Sequence, residues 1–144
     1  MRLKIFSMIA VVIFAVSLLG CTSIVKSGTL DFDKSISIGK AFDTYKYFKK
    51  VEWKYFVNDN RREIVEVVGT VDFDKHPEGN AWKNNMNSLD LVFQFTLHYG
   101  NRFQISYYGC RTVDKSGNMK EENFDNSQMT TLREIYNNQP ITLK

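Results

Sequence analysis

Leu89-Asp90-Leu91-Val92-Phe93-Gln94-Phe95-Thr96-Leu97-His98-Tyr99, then Gly100-Asn101, then Arg102-Phe103-Gln104-Ile105-Ser106-Tyr107, is the stretch that decides the fold. Leu89, Leu91, Phe93, Phe95, Leu97 and Tyr99 share one face of an extended chain. Asp90, Gln94, Thr96 and His98 share the other, with Val92 the one apolar exception. Successive strand side chains point to opposite faces, so this alternation specifies a strand with one buried side. Gly100-Asn101 suits a tight reversal, because both residue types tolerate positive φ. A partner strand then runs over about 102–113 with Phe103, Ile105 and Tyr107 inward.

Upstream the same period of two recurs. Val51, Trp53, Tyr55 and Val57 alternate with Glu52, Lys54, Phe56 and Asn58. Asn58-Asp59-Asn60 marks a turn, and a second strand over about 62–73 puts Val65, Val67, Gly69, Val71 and Phe73 on one face. Gly69 marks a bulge or close packing. Residues 74–88 lose all periodicity and read as the longest loop, and 114–118 (DKSGN) read as another turn. Outside the strands the period changes. Ile38, Ala41, Phe42, Tyr45 and Phe48 form one helical stripe, capped by Ser35 or Ser37, which predicts a helix over 38–49. Met129, Leu132, Ile135 and Tyr136 form a second stripe, capped by Asn126 or Ser127 and ended by Pro140. The expected fold is α+β: an N-terminal helix, a four-stranded antiparallel meander sheet and a C-terminal helix. Both helices cover one face and the other face meets solvent.

The N-terminus carries a different message. Arg2 and Lys4 precede an apolar run over 5–19 that only Ser7 and Ser17 interrupt. That is shorter than the ~20 residues of a membrane-spanning helix and fits the apolar part of a signal peptide. Leu18-Leu19-Gly20-Cys21 resembles the bacterial lipobox, in which the chain is cut before a diacylated cysteine. The resemblance implies lipidation at Cys21, a signal peptide over 1–20, a lipidated tether over 21–34 and a single domain over 35–144. An ordinary signal peptide or an uncleaved N-terminal helix is the alternative. Two acyl chains anchor stably where one does not. Thr22 after the cysteine resembles the pattern for passage to the outer membrane, facing the periplasm.

Removing residues 1–20 takes away Arg2 and Lys4, so the formal charge falls from +3 to +1. A nearly neutral domain lacks the cationic face that nucleic-acid binding needs. The interleaved lysines and aromatics of 45–56 (YKYFKKVEWKYF) are explained by a helix running into a strand, with lysines solvated. With Cys21 committed to lipid, Cys110 has no partner within the chain, which leaves a buried apolar thiol, a reactive thiol or an intermolecular disulfide. His76, His98 and Cys110 lack the close spacing of a metal site, and no cofactor is implied. Asp72, Asp74, His76 and Glu78 cluster in sequence, most simply as a solvated loop. No serine or cysteine sits in a triad neighbourhood, so an enzyme is not expected.

The segments 37–43 (SIGKAFD), 53–56 (WKYF) and 65–69 (VEVVG) look like a small extracytoplasmic module found in bacterial lipoproteins. The layout is also similar to the SmpA/OmlA (BamE-type) outer-membrane lipoproteins and to β-lactamase-inhibitor-protein-like folds, which implies a protein-binding role. The expected partners are therefore the membrane, through the N-terminal lipid, and another envelope protein. Two surfaces are candidates for that protein: the solvent side of the sheet, with Phe56, Val92 and Tyr108, and the 74–88 loop, with Trp82 and Met86 as anchors. Folding of Trp82 back over the sheet edge is the competing expectation. A small-ligand or cation sensor using that loop is the alternative function.

Overall fold

The computed structural model describes residues 20–143; the apolar run over 5–19 lies outside the described residues. The fold is α+β, built on one open antiparallel sheet whose strands neighbour each other in chain order. Residues 20–26 are helical. Then come α1 (Ile38–Asp43), β1 (Phe48–Val57), β2 (Glu63–Val71), α2 (Gly79–Asn85), β3 (Met86–His98), β4 (Arg102–Asp114), β5 (Met119–Asn123) and α3 (Gln128–Tyr136). Among the described residues no helix is long and apolar enough to cross a membrane.

The hairpin that decides the fold forms as its pattern dictates. His98 pairs with Arg102 across a turn in which Gly100 and Asn101 both take positive φ, 77° and 57°. Leu89, Leu91, Phe93 and Phe95 are fully buried on one face of β3. Tyr99 falls in the turn, not on the strand face, and is 95% exposed. On β4 the expected parity fails halfway along. Gln94 pairs with Tyr107 but Phe95 pairs with Ile105, so Ser106 is an extra residue in the ladder. This bulge turns Tyr107 to the outer face and Tyr108 inward, where Tyr108 stacks on Phe93 at 4.4 Å. The Ser106 hydroxyl helps hold the irregularity, donating to the Gln94 carbonyl and accepting from Thr96.

The sheet has five strands where four were expected. β5 escapes a hydrophobic pattern because both its faces meet solvent: Met-Lys-Glu-Glu-Asn is exposed throughout. Its charges, with the Lys120–Glu122 pair along the strand and Glu121 on Arg111 of β4, suit an edge that must resist further pairing. The 79–85 helix is the other unexpected element. It lies inside the segment read as a loop and has no apolar stripe to betray it.

One helical layer covers the inner face of the sheet. Ser37 caps α1, accepting from the Lys40 amide, and Phe42 drives its ring edge-on against Phe93 at 5.3 Å and Trp53 at 5.9 Å. The helix stops at Asp43 rather than continuing to 49. Thr44 closes it with its hydroxyl on the Lys40 carbonyl, and the next residues are claimed by the C-terminal segment. The Tyr45 hydroxyl donates to the Gln139 carbonyl, and the Lys46 amide donates to the Asn138 side chain. Tyr45 and Phe48 are still buried as the stripe requires, but as the entry to a strand. Leu132 and Ile135 of α3 complete the layer. Asn138, at φ 55°, ends α3 before Pro140 is reached, because the left-handed residue lets the Asn138 and Gln139 amides turn back onto the last carbonyls.

Gly69 resolves as close packing: the Phe48 ring occupies the space a side chain there would need, 2.3 Å from the position of a Cβ. The register slip beside it lies in β1, between Phe48 and Lys50. The 21–34 segment, expected to be a tether, is packed from Thr22 onward. Val25 is fully buried in the core, Gly28 abuts the Phe103 ring, and Phe32 packs edge-on against Tyr136 at 4.9 Å.

Candidate interaction surfaces

The sequence-predicted anchors do not assemble into one patch. Tyr108 is a core residue, 1% exposed, with its hydroxyl accepting from Thr131 and 3.7 Å from Cys110 Sγ. The expectation that it belongs to the solvent face is corrected by the Ser106 bulge. Phe56 stays on the outer face, half-buried beneath the Lys54 ammonium at 5.5 Å. Val92, expected exposed beside it, is fully buried. Opposite Val92, Gly109 leaves room for the Tyr107 side chain, whose hydroxyl lies 2.2 Å from where a Cβ would stand, so Tyr107 lies over this part of the outer face. Met86 begins β3 and is half-buried against the core.

Trp82 folds back. Its ring stacks on His76 at 4.3 Å and stands edge-on to Phe73. His76 is itself only 5% exposed, with Nε2 3.2 Å from the Ile141 carbonyl and Nδ1 accepting from the Glu78 amide. Those partners select the neutral tautomer with hydrogen on Nε2, since a proton on Nδ1 would confront an N–H. Burial lowers the His76 pKa below the ordinary imidazole value, outweighing the Ile141 hydrogen bond that favours the charged form. The folded state therefore binds fewer protons than the unfolded chain just below pH 6.5. Stability should be full above about pH 6.5 and fall as pH drops below it, by at most about 1.4 kcal/mol per pH unit. Urea titrations across that range should show this slope, and His76→Gln should remove it. The other members of the 72–78 cluster are engaged separately. Asp72 accepts from the Asp74 amide and pairs with Lys75, while Asp74 pairs with Lys83. Among the described residues no three metal-ligating side chains converge.

Cys110 is 4% exposed, and burial pushes its thiol up to about 11. A thiol in that environment is inert. The folded protein should leave Cys110 unlabelled by a thiol reagent at neutral pH and label it fully in urea, as read by mass spectrometry. Rapid labelling in the folded state would instead support the reactive-thiol expectation.

Two surfaces remain. Among the described residues, the outer face of the sheet carries no helix. It holds a shallow trough of about 460 Å³ whose lining mixes Lys50, Lys54 and Arg111 with Glu52, Glu66 and Asp90. Glu66 is 4% exposed there; Gln94 donates to its Oε2 at 2.7 Å and the Lys54 ammonium stands 3.2 Å from Oε1.

The second surface is the end of the sheet where the β1–β2 and β3–β4 turns meet, which no sequence pattern singled out. The Asn58 carboxamide oxygen accepts from the Asn60 and Arg62 amides and holds the first turn, with Arg61 at φ 59°. The Arg102 guanidinium donates to the Tyr99 carbonyl in the second. Cys21 comes to this same end. It is partly exposed and belongs to the helical 20–26 segment, whose Lys26 lies over the Trp53 ring at 5.3 Å and which leads to Gly28 against the Phe103 ring. The Tyr55 hydroxyl, two ladder pairs short of the turn, donates to Glu63 at 2.7 Å, and this bond raises its pKa to about 12. Beside the β3–β4 turn an open groove of about 670 Å³ runs between 29–32 and 101–105, with apolar walls from Leu30, Phe32, Phe103, Ile105 and Met129.

The chain matches no protein-family model, and no curated protein and no solved structure is similar enough to count as a match.

Proposed function

We propose that this chain is a membrane-anchored lipoprotein of the bacterial cell envelope, attached through lipid on Cys21, and that it works as a protein-binding or structural accessory module. The observation that carries this reading is where Cys21 stands: directly after the apolar run of 5–19, partly exposed, at one end of a packed domain. An acyl-bearing residue there leaves the outer sheet face clear of the anchor. That face offers what a protein partner uses: half-buried aromatics, Phe56 and Tyr107, amid mixed charges. Attachment to the outer membrane on its periplasmic side is part of the same proposal, and so is the absence of an enzymatic role.

The test is crosslinking in intact envelopes with Cys21→Ser in parallel, together with the mass of the mature N-terminal peptide. The expected result is a diacylated or triacylated Cys21 and a specific partner that is lost in the variant. An unmodified Cys21 would sink the anchor. Acylation without a crosslinked partner would transfer the assignment to ligand sensing, for which the outer-face trough and the groove beside the β3–β4 turn are the concave sites.

A further inference from the structure

Three observations meet at the turn end of the domain. The first is apolar. Among the described residues four large hydrophobic side chains are exposed: Val57 (55%), Tyr99 (95%) and Met129 (45%) are here, and Met119 lies at the opposite end. Met129 borders the open groove, so the exposed apolar surface continues into Leu30, Phe103 and Ile105. The second is charge. Arg61, Arg62 and Arg102 all project from the two turns, and none forms an ion pair among the described residues. The nearby acids are Asp31, Asp59 and Glu63; Asp31 lines the groove with Arg102 and pairs with Lys34 at 3.9 Å, and the Glu63 carboxylate is taken by the Tyr55 hydroxyl. The third is connectivity. The described chain begins at Gly20 and Cys21, in the segment whose Lys26 lies over Trp53 and whose Gly28 abuts Phe103 next to the β3–β4 turn, so the apolar run of 5–19, or a lipid in its place, is joined to the molecule near this end.

We infer that this end is a membrane-apposed surface that seats on anionic phospholipid headgroups. Tyrosine favours the headgroup level, where its ring is apolar and its hydroxyl is wet. A guanidinium matches phosphate oxygens two at a time. The chemistry of the surface therefore complements a bilayer interface, with Arg61, Arg62 and Arg102 on phosphates and Tyr99, Val57 and Met129 at the boundary with the acyl chains. Such seating fixes the domain's orientation and turns the 72–88 segment and the β4–β5 turn away from the membrane. The inference rests on the anchor at Cys21, but it claims more: an anchor alone leaves the domain free to rotate.

Hydrogen exchange read by mass spectrometry tests it. The full chain, extracted from membranes with its native N-terminus, is reconstituted into vesicles of phosphatidylcholine alone or of phosphatidylcholine with equimolar phosphatidylglycerol. Each basic side chain near an anionic surface multiplies residence about fivefold, so three predict a combined effect of up to roughly a hundredfold, and a tenfold change is a conservative threshold. The 58–62 and 98–102 amides should exchange at least about tenfold more slowly on the anionic vesicles than on the neutral ones, with 114–118 unchanged. Arg61→Glu/Arg62→Glu/Arg102→Glu should abolish the difference while the chain stays on the vesicles. The triple Lys variant should keep most of it, and unchanged exchange across β3 verifies folding. Equal exchange on both compositions by an acylated, vesicle-bound chain overturns the seating and leaves the anchor standing. Protection that requires a copurifying protein also overturns it and assigns the surface to protein docking. A chain without an acyl group that does not float with vesicles removes the anchor, and the seating with it.

Discussion

Phe42→Ala is expected to lower the free energy of unfolding by about 3–5 kcal/mol, measured as a shift of the urea midpoint at constant slope. The size follows from position. Phe42 is fully buried at the point where the short α1 meets the sheet, and its ring touches three others: Phe93, Trp53 and, stacked at 6.3 Å, Phe48. Six residues of helix cannot persist on propensity alone, so α1 exists because this ring holds it to the sheet. Truncation removes the transfer energy of the ring, leaves a cavity between helix and sheet, and forfeits the edge-on contacts. Phe42→Leu keeps most of the volume and should cost well under half as much. A loss below about 1 kcal/mol for Phe42→Ala would mean that α1 contributes little to the cooperative unit.

The hairpin was legible because both requirements were local. β3 alternates with Val92 as its one exception, and its turn residues tolerate the φ values they adopt. What stayed hidden was set by tertiary contacts or by the lack of a buried face. Tyr107 and Tyr108 exchange roles because one residue, Ser106, drops out of register, and a serine in a strand carries no warning of that. β5 has no apolar side to write, so its five residues look like loop. The stripe of 38–48 named the right buried residues under the wrong geometry. Ile38, Phe42, Tyr45 and Phe48 satisfy a helical period, yet the last two are buried by the C-terminal segment and by Gly69.

The candidate surfaces were less legible than the fold. Aromatics were sought by composition, and composition cannot separate Trp82, which stacks on a buried histidine, from Tyr99, which stands almost fully in solvent. The turn end depends on which turns lie at the same end of the meander. Arg61, Arg62, Tyr99 and Arg102 become neighbours only once strand order is known. Cys21 was singled out by its local motif alone, and its place beside that end follows from the packing of 20–32.

Val25→Asp is expected to destabilise the domain by more than about 4 kcal/mol, enough to unfold a marginally stable chain at physiological temperature. If 21–34 were a free tether, the substitution would cost nothing, so this is a sharp discriminator between a link and a structural element. The side chain is 0% exposed and belongs to the same core cluster as Val65, Phe93 and Phe95. Around it the backbone is committed. The Gly28 carbonyl accepts from the Ile38 amide at 2.9 Å, and a side chain on Gly39 would strike the Lys26 backbone at 2.9 Å. Lys26 in turn lies over the Trp53 ring at 5.3 Å. A carboxylate placed in this site loses the burial of Val25 and must either shed its hydration or take up a proton, and each route is costly. Val25→Ala isolates the packing part and should cost about 2 kcal/mol. The two values have a consequence for the anchor. A lipid on Cys21 would then be tied to the folded core through only four residues, so the membrane would hold the domain at close range and in a restricted set of orientations. Wild-type stability in Val25→Asp, measured by urea unfolding, would detach the segment from the core and restore the free tether.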